Sequence, residues 1–353
     1  MRSLHVVTST ARRGAETFAV GLVDALDDGD HTARLVALHP SSSAEVHEMP
    51  VLGPSRRSHE TLRELRRLSR QADVVVAHGS STLEACAVAL AGTGVPFVYR
   101  TIGDPYYWVA PGYRRRLVGA MLRRARAHVV LWNDAARQLA ASYGIPESRI
   151  TVIPNAVPAE EFCAASNETR REARRVHGLA AGQSCLAFVG ALSPEKDVAA
   201  IIRVVGAIDG VVALIAGDGP ERQRLEEYAT ELAPGRVRFL GAVSDPREVY
   251  AAADLLLLPS LSEGMPAVVI EAGLVGTPAV ASRVGALPEM ITDASTGYLV
   301  DPGDHQELVA KTASALSNAA VMGENASDVF HTRYTMEQVV GPWAELLAKV
   351  ANR

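Results

Sequence analysis

The chain has 353 residues, 48% of them apolar, and a net charge of −5, which is enough for two domains with separate cores and gives no bulk attraction for nucleic acid. Its three cysteines, Cys86, Cys163 and Cys185, are odd in number and far apart, so neither a disulfide framework nor a paired-cysteine metal site is expected, and a reducing cytoplasm fits. Too few apolar residues precede Ala11-Arg12-Arg13 for a secretory leader, and no run approaches the ~20 residues of a membrane span.

In chain order, Leu4 to Thr8 is a predicted strand. Gly14 marks the turn into a predicted helix over 15–26, whose Phe18, Leu22, Val23 and Leu26 share one face. A glycine at a strand-to-helix turn either lets backbone N–H groups approach an anion or simply makes a tight turn. Strands follow over 33–38 and 73–77, with a short one at 49–52 in a loop rich in Pro, Ser and Gly, and a helix over 60–70 between them. The third strand runs into His78 at its carboxyl end, where an imidazole either contacts a ligand or is a hydrogen-bonded structural group. The strand over 95–99 leads into Arg100, Gly103, Asp104, Tyr106, Tyr107 and Trp108. These aromatics beside an Arg and an Asp suit a platform that stacks on a sugar or another ring, or they pack the loop onto the core. Residues 112–126 form a predicted helix with Arg114, Arg115, Arg116, Arg123, Arg124 and Arg126. It is either a solvated charged helix or a peripheral contact for an anionic membrane or a phosphorylated acceptor. A strand over 127–132, a helix over 134–143 and a strand over 149–153 complete this half, ending in Pro154-Asn155-Ala156-Val157.

Residues 163–183 are expected to be a linker and lead-in helix. A second sheet then begins with 185–189, followed by Gly190-Ala191-Leu192-Ser193-Pro194-Glu195-Lys196. The strand over 211–216 ends in Gly217-Asp218-Gly219-Pro220, which fails the dinucleotide fingerprint because Arg222 stands where its third glycine belongs. Further predicted elements are helices over 221–232 and 248–253 and strands over 237–240, 277–281, 282–288 and 298–300. The apolar run Leu255-Leu256-Leu257-Leu258 reads as a buried parallel strand. The turn after it carries Glu263, Gly264, Met265 and Pro266, with Pro266 opening a helix that holds Glu271. In an open α/β sheet, ligands bind outside the carboxyl ends of the strands. An amphipathic helix over 336–350 closes the chain.

The stretch Ser262-Glu263-Gly264-Met265-Pro266 through Glu271-Ala272, with Gly276-Thr277-Pro278 and Gly285-Ala286-Leu287-Pro288-Glu289, resembles the nucleotide-sugar signature of glycosyltransferase family 4, retaining enzymes of the GT-B fold. The resemblance implies an α/β architecture of two Rossmann-like doubly wound domains facing across a cleft. Residues 1–163 would bind the acceptor and 164–335 the donor, with the helix over 336–353 crossing back to the first domain. It implies transfer from a nucleotide sugar, as co-substrate, to a small-molecule, glycan or lipid-linked acceptor, with retention and without metal or cofactor. By resemblance, Glu263 with the backbone of Gly264 and Met265 would hold the donor sugar, Glu271 the ribose, and Lys196 the departing diphosphate. Gly14, Gly190, Gly217, Gly219 and Pro266 would line the nucleotide, and His78, Arg100, Asp104, Tyr106 and Trp108 the acceptor. Two positions depart from the family pattern: Ala191 replaces a diphosphate-binding arginine and Gly103 a sugar-facing histidine. They motivate a second reading, a catalytically weakened homologue acting as a binding or partner subunit.

Overall fold

The computed structural model describes residues 1–42, 46–103 and 112–352, and these form two compact units, Met1–Pro158 with Met336–Arg353, and Ala159–Thr335. In the first unit, strands β1 (Arg2–Ser9), β2 (Thr32–His39), β3 (Val74–His78), β4 (Phe97–Arg100), β5 (Ala127–Val130) and β6 (Ile150–Val152) alternate with helices α1 (Gly14–Leu26), α2 (His59–Ser69), α3 (Ser80–Ala89), α4 (Tyr113–Arg124) and α5 (Asn133–Tyr143). The strands form one sheet in the order β2-β1-β3-β4-β5-β6, parallel throughout. Helices cover both faces of such a sheet, which is why β3 reads Val-Val-Val-Ala-His and is buried at every position. The expected short strand over 49–52 is a single bridge from Val51 to Ala37 beside the β2 edge.

The second unit begins with α6 (Asn167–Val176), capped by Ser166 Oγ accepting from the Thr169 N–H. Its Arg170 donates to the carbonyls of Ala253 and Gly276. The unit continues β7 (Cys185–Val189), α7 (Val198–Ala207), β8 (Val212–Ala216), α8 (Arg222–Leu232), β9 (Val237–Gly241), α9 (Arg247–Ala252), β10 (Leu255–Leu258), α10 (Ala267–Val275), β11 (Ala279–Ser282), α11 (Leu287–Met290), β12 (Gly297–Val300), α12 (His305–Leu316) and α13 (Ala319–Arg333). The sheet order is β12-β11-β10-β7-β8-β9, again parallel. The expected strand over 282–288 does not form. Beyond Ser282 the chain turns through Gly285 into the one-turn helix α11, because Gly285 must lie against the loop that follows β10.

The final helix, α14 (Met336–Ala351), belongs to the first unit. Its Met336, Val339, Trp343, Leu346, Leu347 and Val350 join Phe18 and Leu22 of α1 and Val74 and Val76 of β3 in one core. Trp343 is fully buried, so truncating it would forfeit about 3–5 kcal/mol. Among the described residues, no helix is long and apolar enough to cross a membrane.

Candidate functional site

In the second unit, β7 leads to β8 and β9 on one side, whereas β10, β11 and β12 extend on the other. The crevice at such a reversal, outside the carboxyl ends of the two central strands, is where doubly wound sheets bind ligands. The loops leaving β7 and β10 meet there. Lys196, at the end of the turn Pro194–Lys196, donates to Glu263 at 2.6 Å (Nζ to Oε1). The backbone ties the loops together, with the Leu261 N–H reaching the Glu195 carbonyl at 2.8 Å. The Glu263 side chain is 8% exposed and that of Lys196 22%. Two residues 67 positions apart are thus joined as a half-sequestered ion pair, oriented by the strands beneath them.

The glycines around the pair are placed by close backbone approach. A Cβ on Gly217 would lie 1.8 Å from the Gly190 carbonyl oxygen, and one on Gly219 2.4 Å from that of Leu192. The loops after β7 and β8 therefore stack main chain on main chain, with Leu192 N–H donating to the Asp218 carbonyl at 2.9 Å. Gly285 has φ +57°, and its Cβ would lie 2.4 Å from the carbonyl oxygens of both Glu263 and Gly264. The Ala286 N–H donates to Gly264 at 2.8 Å. Gly285→Ala should therefore displace the Glu263 loop and reduce stability by about 2–4 kcal/mol through clash and left-handed strain. A urea midpoint equal to that of the wild type would refute this clamp. Ala191 is exposed, and Arg222, at the start of α8, is occupied by Asp218 at 3.5 Å and Glu226 at 2.9 Å.

Pro266 caps α10 and Met265 is buried beside it. Glu271 lies one turn into α10 and accepts from the Tyr250 hydroxyl at 2.7 Å. Burial raises its carboxyl pKa to about 7, against the Tyr250 hydrogen bond, with Glu161 and Asp245 adding to the rise. Tyr250 is the residue that sequence reasoning missed. Its signal was a tyrosine in the short helix that feeds a fully buried strand, a position from which a hydroxyl must find a partner.

In the first unit the reversal falls between β1 and β3, with Gly14 opening α1 after the first of these strands and His78 ending the second. A Cβ on Gly14 would meet open space, so sterics do not require glycine there. Arg100 is 1% exposed. Its guanidinium lies 3.7 Å above the Phe18 ring, and Nη2 donates to Asn155 Oδ1 at 2.9 Å. Burial lowers its pKa to about 9, partly offset by Glu16. Asp104, Tyr106 and Trp108 lie outside the described residues.

His78 is buried, and one of its ring nitrogens is engaged by another histidine. Its Nε2 pairs with His5 Nδ1 at 3.1 Å, and the chain continues through Ser3 to His31, at 3.1 and 2.8 Å. Burial holds the three imidazoles neutral, with the His5 pKa lowered to about 3 and those of His31 and His78 also lowered. Below about pH 6.5 the unfolded chain then binds more protons than the fold. Stability is complete above that pH and falls on acidification, by up to about 1.4 kcal/mol per pH unit for each histidine. Urea midpoints across about pH 5 to 8 should show this slope, and His5→Gln, which retains hydrogen bonding without titrating, should reduce it by the share of one histidine. An unchanged slope in the variant would refute the assignment.

Two family models match in succession: Glycosyltransferase Family 4 over residues 12–161 and Glycosyl transferases group 1 over residues 169–329. A D-inositol 3-phosphate glycosyltransferase of Mycolicibacterium smegmatis is 34% identical over 234 residues, which is 62% of this chain and 52% of that protein. The chain spans about half the length of the curated relatives it matches. Among solved structures, HepE of Anabaena in complex with UDP superposes with a TM-score of 0.87 at 21% identity, covering 99% of this chain and all of that one. Sucrose-phosphate synthase of Thermosynechococcus elongatus superposes with a TM-score of 0.83 at 19% identity, over 99% and 98% of the two chains. With its two successive family matches, its paired six-stranded parallel sheets and the Glu263-to-Glu271 segment, the chain belongs to glycosyltransferase family 4 and has the GT-B fold.

Proposed function

We propose that the chain is a retaining, metal-independent glycosyltransferase whose second unit holds a nucleotide-sugar donor. The observation that carries this is the Lys196–Glu263 pair at the β7/β10 reversal, with Glu271 on the helix that follows. The complexes of the Anabaena neighbour with UDP and with UDP-glucose support a donor of this class. In this reading Glu271 accepts from the ribose hydroxyls and Glu263 from those of the donor sugar. Lys196 releases Glu263 to meet the diphosphate. The bond from the anomeric carbon to the diphosphate oxygen breaks, the acceptor hydroxyl oxygen bonds that carbon on the same face, and the acceptor proton passes to the departing oxygen. Negative charge grows on the diphosphate in that step, and a fixed ammonium in a partly dry crevice stabilises it most where it is largest. The relatives' glycosyltransferase names give the partner-subunit reading no support.

The test is calorimetric titration with UDP, GDP, ADP and dTDP of the wild type and Glu271→Ala. One diphosphate should bind clearly and identify the base, and the variant should lose it. Failure of all four to bind would overturn the proposal.

A further inference from the structure

Helix α4 is oriented against the usual polarity of a surface helix. Its buried positions are Gly119 and Leu122, and the stripe opposite them, at spacings of four, three and four, is Tyr113, Leu117, Ala120 and Arg124. Tyr113 is 77% exposed and Leu117 58%. Arg114 flanks this stripe on one side and Arg116 and Arg123 on the other, all exposed. No acidic residue occurs between Tyr113 and Asn133, and the first beyond, Asp134, is engaged by Arg137 and Gln138. The helix therefore presents large apolar side chains to water, framed by arginines that form no ion pair among the described residues.

Beside it is a hollow of about 480 Å³ between α4 and the end of α5, lined by Tyr113, Arg115, Arg116, Gly119, Arg123 and Ser142. Arg115 donates to the Ser142 carbonyl at 3.3 Å and Arg123 to that of Tyr143 at 3.4 Å, which fixes two guanidinium groups at its wall. Ser142 Oγ is buried there with no hydrogen-bond partner among the described residues. Guanidinium groups with a hydroxyl suit a phosphate oxygen set.

We propose that α4 is an interfacial helix that seats this unit on an anionic phospholipid surface, with Tyr113 and Leu117 entering the headgroup layer and the Arg115–Arg123 hollow receiving a lipid phosphate. A soluble phosphate ligand would account for the hollow and leave the exposed Tyr113 and Leu117 without a role. A membrane surface accounts for both, because interfacial helices combine an apolar stripe with flanking cations. The inference does not depend on the donor chemistry of the second unit.

Flotation of the full chain with vesicles tests it. Phosphatidylcholine vesicles carrying about a third phosphatidylglycerol should bind at least about tenfold more protein than phosphatidylcholine alone, and high salt should abolish the excess. Arg114→Glu with Arg116→Glu should reduce binding more than about twentyfold. Tyr113→Ser with Leu117→Ser should reduce it about tenfold. All these positions are exposed, and unchanged circular dichroism and thermal melting would show that each variant is folded. Equal binding to both vesicle types overturns the proposal. So does competition by inorganic phosphate together with full binding by the Tyr113/Leu117 variant, which would mark a site for soluble phosphate.

Discussion

Lys196→Ala is expected to lower turnover by about 10²–10³-fold, the effect of removing one fixed charge or donor from a developing oxyanion. Donor affinity should fall less, because the diphosphate of the bound sugar nucleotide carries less charge than the departing one. The same change also affects the empty fold. Glu263 has an 8% exposed side chain held at 2.6 Å by Lys196, and without the ammonium its carboxylate is left half-desolvated, at about 1–3 kcal/mol. The two effects separate in a double variant. Glu263→Gln in the Lys196→Ala background removes the stranded charge, so melting should recover most of what the single change lost while turnover stays low. A Lys196→Ala enzyme within about threefold of wild-type turnover would remove the lysine from the proposed mechanism.

Glu271 gives the second large effect, with opposite signs in binding and stability. Its carboxyl pKa is raised to about 7 chiefly by burial. Between the unfolded value near 4.5 and about 7 the fold binds more protons than the unfolded chain. This contribution is therefore complete at low pH and is lost as pH rises through 7, at up to about 1.4 kcal/mol per unit. Glu271→Gln, which is neutral at every pH, should consequently melt higher than the wild type at about pH 8, by an amount on the order of 1–3 kcal/mol. Donor binding should run the other way. A carboxylate accepts from both hydroxyls of a ribose diol better than a carboxylic acid does. Wild-type affinity for the diphosphate should thus strengthen as pH rises through 7, whereas Glu271→Gln binds about tenfold or more weakly and without that dependence. Calorimetry at three pH values and melting at the highest would read both. Parallel pH profiles in the two proteins would exclude Glu271 as the titrating group.

Much of this architecture is legible in the residues. Runs such as Val74 to Ala77 and Leu255 to Leu258 have no solvent face and mark central parallel strands. The turn after the second carries the acid that meets Lys196. What periodicity could not reveal has particular causes. Helix α3 has six of its ten positions buried and is apolar nearly all round, so it carries no alternation of faces to detect. The strand expected over 282–288 is apolar enough, but Gly285 is committed to the carbonyls of Glu263 and Gly264, a contact no local pattern encodes. The Lys196–Glu263 pair spans 67 positions and the His5–His78 pair 73. Only the crossing of strands brings such groups together. The resemblance to glycosyltransferase family 4 points to the candidate site through a short contiguous segment, whereas Tyr250, 21 positions before Glu271, lies outside it.

The return of α14 into the first unit has a consequence for biosynthesis. Synthesis runs from the N-terminus, so residues 1–158 emerge first, yet their core lacks Trp343 and Leu347 until the ribosome has passed position 350. The second unit, continuous from 159 to 335, has every residue of its own core before then. The part made first is therefore the last to close, and until it does Phe18, Leu22 and Val76 have no cover from α14. Nascent chains stalled before residue 336 should carry a protease-resistant second unit behind a first unit that is still open to cleavage and to chaperones.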